Sequence, residues 1–80
     1  MLTSIAILDS GAYEVSAYIR DGLGYGRWRA LRSFWSQGDA REFADWDAGR
    51  FTAAELDGLA RSYDGRPRVR DGFKRYNLPW

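Results

Sequence analysis

From Tyr13 to Arg20 the side chains alternate without a break. Tyr13, Val15, Ala17 and Ile19 fall on one side, and Glu14, Ser16, Tyr18 and Arg20 on the other. A period of two belongs to a strand with one face buried. The preceding stretch, 2–8, is aliphatic and β-branched and closes on Asp9-Ser10-Gly11, a turn sequence. Together the two stretches predict an antiparallel hairpin. A lone hairpin is marginal in water, so the rest of the chain must supply a further strand, a helical cover, or both.

The demand is strict because the chain has only 80 residues. A domain of that size buries roughly 60–65% of the surface of its unfolded chain, and one domain spanning 1–80 is expected. With no cysteine it has no disulfide to rely on. Residues 27–35 fit two patterns. As a strand, Trp28, Ala30, Arg32 and Phe34 share one side, with Arg27, Arg29, Leu31, Ser33 and Trp35 on the other; as a helix, Trp28, Leu31 and Trp35 align. The strand is preferred, since aromatic residues favour strands and the hairpin needs a partner. Between it and the hairpin, Gly22-x-Gly24-x-Gly26 departs from the dinucleotide-binding spacing by one residue and reads as a flexible loop.

Two helix starts follow. Asp39 precedes Glu42 by three residues and Thr52 precedes Glu55 by three, the spacing of a capping box. The first helix is expected over 40–48, packing Phe43 and Trp46 before Gly49. The second carries the stripe Leu56, Leu59, Ala60 and Tyr63, with Phe51 and Leu56 placed as a hydrophobic staple, and stops at Asp64-Gly65. A short edge strand over 68–71 and a turn into 73–76 complete the expectation. The predicted fold is α+β: a three-stranded antiparallel β-meander followed by two short α-helices on one sheet face. Its aromatic core would hold Tyr13, Trp28, Phe34, Phe43, Phe51 and Tyr63.

The absent residues bear on chemistry. Without histidine or cysteine the chain lacks the commonest general base, the commonest metal ligand and any thiolate nucleophile. The carboxylates around Asp45-Trp46-Asp47-Ala48-Gly49 fall short of a calcium loop, which needs a third ligand and a terminal Glu. No enzyme activity, metal or cofactor is therefore expected. No apolar run is long enough to span a bilayer, and the first residues lack the form of a signal peptide. A cytoplasmic protein is expected.

The net charge of +1 hides segregation. Residues 39–57 carry six acidic against two basic residues, and 61–75 six basic against two acidic. The acidic stretch, with Asp39, Glu42, Asp45, Trp46, Asp47 and Asp57, is the candidate surface for docking on a basic partner. The basic stretch, with Arg66, Arg68, Arg70, Lys74 and Arg75 beside Tyr76 and Trp80, has the alternative chemistry of phosphate neutralisation and base stacking. Thirteen aromatic residues exceed what so small a core can hold, and exposed Trp and Tyr beside Arg suit protein recognition.

In length, in its strand–turn–strand opening (Ser10-Gly11-Ala12-Tyr13-Glu14-Val15 within 4–20) and in its capped helical second half, the chain resembles the small phage-encoded anti-CRISPR proteins. They share no diagnostic motif, so the resemblance covers the plan of the whole chain and carries no residue over. It implies a non-enzymatic inhibitor in the bacterial host cytoplasm. Such an inhibitor binds a protein subunit of a multi-subunit nucleoprotein complex, here a type I CRISPR effector, and blocks its access to target DNA. Many such inhibitors are strongly acidic DNA mimics; at +1 this chain departs from them, and any mimicry would be local to 39–57.

Overall fold

A computed structural model describes residues 2–20 and 22–68 of the chain. Strands β1 (Thr3–Ile7), β2 (Tyr13–Arg20) and β3 (Gly26–Phe34) form an antiparallel meander. Helix α1 (Gln37–Glu42) runs on through a π-helical turn, Phe43–Asp47, and a 3-10 turn, Ala48–Arg50. Helix α2 (Ala53–Ser62) follows. The arrangement is α+β, with the helical segments packed over β2 and β3. A two-residue strand, β4 (Pro67–Arg68), then pairs in parallel with the end of β3. The rest of the edge strand expected over 68–71, and the turn into 73–76, lie outside the described residues.

The β1–β2 turn forms for local reasons. Gly11 adopts φ +89°, a left-handed conformation that disfavours a side chain. Its N–H donates to the Leu8 carbonyl at 2.9 Å, and the Leu8 N–H to the Ala12 carbonyl at 2.8 Å. The register then fixes which side chains face the helices. Val15 and Ala17 are fully buried, while Tyr13 and Ile19 pack at the margin of the core.

The third strand holds the main departure from expectation. Val15 pairs with Arg32 but Ser16 pairs with Ala30, which leaves Leu31 as an extra residue, a β-bulge. Simple alternation would put Trp28, Ala30, Arg32 and Phe34 on one side. The bulge divides them. Arg32 and Phe34 face the helices, where Phe34 meets Phe43 at 5.6 Å between ring centroids and the Arg32 guanidinium lies 5.3 Å over the Phe43 ring. Trp28 is turned to the opposite face and stands 50% exposed, edge-on to Tyr18. Trp28 is therefore not a core residue.

Helix α1 begins three residues before the expected position. Ser36 has extended backbone angles, and its hydroxyl accepts from the Asp39 N–H, so Ser36 and not Asp39 is the N-cap. A stripe of Ala40, Phe43, Ala44, Asp47 and Ala48 faces inward. Its three alanines let the helical backbone lie close to the sheet, and Phe43 fills the space between. Trp46 falls outside that stripe and is 60% exposed, against the expectation that it packs inside. Helix α2 forms as its sequence predicts. The Thr52 hydroxyl accepts from the Glu55 N–H, and the Glu55 carboxylate accepts from the Thr52 N–H at 3.1 Å. Leu56 is buried in the core, and Phe51, Leu59 and Ala60 pack against that core.

Candidate functional site

The acidic stretch does not form a single surface. Asp39, in the first turn of α1, and Asp47, at the end of the π-helical turn, are both buried. Their place in the sequence suggests solvated acids, but the fold leaves each only 2–3% exposed, so they are not available to a partner. Asp57, on α2, is held between two guanidinium groups: Arg29 at 3.1 Å and Arg61 one helical turn on. The hydrogen bond from Arg61, reinforced by the positive charges of Arg61, Arg29 and Arg27, keeps its carboxyl below the usual range. Glu55 is also lowered, by the Thr52 N–H and hydroxyl, and caps α2. Of the expected docking residues, Asp45 and Trp46 are exposed and Glu42 is half-buried.

These three sit on a firm base, because the opposite side of 37–50 is locked into the core by Phe43 and the alanines. Arg50 lies 5.9 Å from the centre of the Trp46 ring, close enough for cation–π attraction. What the segment displays is a mounted indole flanked by charges of both signs, Asp45 and Arg50, in place of the expected acidic face. The exposed rings Trp35 and Tyr25 lie elsewhere, at the end of β3 and in the β2–β3 loop.

Of the basic candidates, Arg66 is exposed. Its N–H donates to the Asp64 carboxylate at 2.9 Å, and its guanidinium lies 3.7 Å from the same group. An exposed pair of this kind contributes little to stability. Arg68 is the last residue of β4, whereas Arg70, Lys74 and Arg75, with Tyr76 and Trp80, lie outside the described residues.

The fold assembles a second basic group that charge counting along the chain does not single out. Arg20, Tyr25, Arg27 and Arg29, at the open end of the β2–β3 hairpin, line a cleft of about 450 Å³ together with Asp57 and the first residues of α2, Ala53 and Ala54. The signal was present in the alternation of 27–35, which puts Arg27 and Arg29 on one side. That α2 begins beside them is a tertiary fact that the alternation does not encode. Among the described residues no group of three or more Asp or Glu is arranged to hold a metal ion, and no helix is long and apolar enough to cross a membrane.

No family model matches the chain, and no curated protein or solved structure is significantly similar to it.

Proposed function

We propose that this protein is a non-enzymatic inhibitor that docks on a protein subunit of a nucleoprotein complex, with Trp46 as its anchor and Asp45 and Glu42 beside it. The observation that carries the reading is the 60% exposure of Trp46 on a segment whose inner side is fixed by Phe43 and Ala40, Ala44 and Ala48. A large ring held in water by a rigid support loses little conformational freedom on binding and buries much apolar area, which is how interface hot spots work. Exposed charges at such a rim steer the approach more than they add affinity. The partner suggested by the chain's overall plan is a type I CRISPR effector, met on a surface that target DNA would otherwise use.

The test is direct. A purified type I effector is titrated with the protein, and its binding to target DNA is measured. Inhibition saturating at a fixed stoichiometry is expected. Trp46→Ala should weaken the inhibition by about thirtyfold or more, the loss typical of a hot spot, with an unchanged melting temperature because the ring is not in the core. Asp45→Lys should act mainly on the association rate. Full DNA binding at saturating inhibitor, or an undiminished effect of the Trp46→Ala variant, would remove the reading.

A further inference from the structure

We infer that the cleft between the open end of the β2–β3 hairpin and the start of α2 binds the phosphate of a nucleotide, with Arg20 and Arg27 on the phosphate and Tyr25 against the base. Three arginines, Arg20, Arg27 and Arg29, line a space of about 450 Å³, and among the described residues Asp57 is the one carboxylate that lines it with them. That carboxylate is committed: it bonds Arg29 at 3.1 Å and Arg61 as well. Neither Arg20 nor Arg27 forms an ion pair among the described residues, and both are exposed. Two arginines without a salt bridge among the described residues therefore border one concavity, with Arg27 near enough to Asp57 to feel its charge. Among the described residues the lining carries three positive charges against one negative, and a bound phosphate would offset the excess.

The opposite wall adds to the same preference. The capping box occupies the N–H groups of Thr52 and Glu55, and the Leu56 N–H donates to the Thr52 carbonyl. The N–H groups of Ala53 and Ala54, in the first turn, have no intrahelical acceptor. Alanine side chains leave that end of the helix open to an approaching oxygen, and its partial positive charge favours an anion. Tyr25, 75% exposed at the rim, supplies a ring on which a base can stack. Guanidinium groups, helix start and ring at one mouth match a phosphate joined to a base better than they match a carboxylate or a bare inorganic ion. This site is separate from the residues proposed for docking, and its test does not require the docking partner.

The phosphate has two sources, a free nucleotide or a single-stranded nucleic acid, and calorimetric titration with 5′-AMP and with a ten-nucleotide single strand tells them apart. Adenosine and inorganic pyrophosphate serve as comparators. At least one of the two nucleotide probes should bind, and adenosine should bind at least about tenfold more weakly, since it lacks the charged partner. The double variant Arg20→Ala, Arg27→Ala should lose about tenfold or more in affinity while keeping the parent circular dichroism spectrum, and Tyr25→Ala should also weaken binding. Binding of 5′-AMP identifies a free nucleotide as sufficient; binding of the single strand alone identifies an internal phosphodiester. Failure of both probes to bind at millimolar concentration would overturn the inference, as would undiminished affinity in the double variant. Pyrophosphate binding as tightly as 5′-AMP, with Tyr25→Ala unaffected, would overturn the nucleotide assignment.

Discussion

The Tyr63 hydroxyl donates to the Glu14 carboxylate at 2.6 Å, joining residues 49 positions apart and tying the end of α2 to β2. Burial raises the tyrosine's pKa above its ordinary value of 10.0, and the bond to a carboxylate raises it further. A raised pKa in the folded state has a definite sign. Below the unfolded value both states are neutral and the bond stabilises fully. As pH rises through that value the unfolded chain ionises first, so stability falls until the folded pKa is also passed. Urea unfolding measured from pH 8 to 11 should show this decline. In Tyr63→Phe it should be shallower, with lower stability at pH 8; equal slopes would show that the hydroxyl does not link the two elements energetically. The same scale explains the fate of the acidic candidates. Asp39 and Asp47 look like solvated acids in the chain, and only the packing of 37–50 in the fold buries them.

At the level of elements, the close fit of Tyr18, Trp28 and Gly26 is decisive for the outer face of the sheet. The Tyr18 ring lies where a side chain on Gly26 would stand, and meets Trp28 edge-on at 5.6 Å. Gly26→Ala should therefore push aside the far end of the tyrosine, a half-buried ring on the outer face, at a cost of under about 1 kcal/mol, below the range for overpacking a core. Chemical denaturation would register it, and Trp28 fluorescence should change as the edge contact is lost. A loss of more than about 2 kcal/mol would mean that the ring is held as firmly as a core side chain. Strands and α2 were legible because each carries its own code: unbroken alternation over 13–20, and a Thr52–Glu55 box with a regular apolar stripe. The face assignment within β3 was not legible, since a bulge depends on how two strands pair and leaves no mark in either one. The start of α1 was misplaced because both Ser36 and Asp39 are good caps, and only the extended backbone at Ser36 decides between them. The cleft was half legible: alternation placed Arg27 and Arg29 together, but their meeting with Ala53 is a tertiary fact.

For the whole molecule the central quantity is how little core there is. Among the described residues the large, fully buried side chains are few, led by Phe34, Phe43, Leu31 and Leu56. Phe43 touches both the sheet, through Phe34, and the guanidinium of Arg32. Phe43→Ala should cost about 3–5 kcal/mol. A chain of this length has a total of about 4–12 kcal/mol, so the variant should melt near or below ambient temperature, as followed by near-ultraviolet circular dichroism. A loss of under about 1 kcal/mol would place the stabilising contacts elsewhere. Spending its limited apolar volume on phenylalanine and alanine leaves the tryptophans Trp28, Trp35 and Trp46 to solvent, which gives so small a protein recognition surfaces of more than one kind.

The extra residue at Leu31 also bears on how this chain tolerates change over time. Replacing one side chain in β3 alters one contact. Removing or adding a position where the ladder is regular moves the side chains beyond it to the other face, whereas loss of Leu31 itself would leave Ala30 and Arg32 opposite Ser16 and Val15 and keep Phe34 facing the helices, with only a buried leucine lost. The strand is thus open to drift in spelling and closed to drift in length except at the bulge, and descendants of this protein should differ in the letters of 26–34 while changing their number, if at all, at position 31.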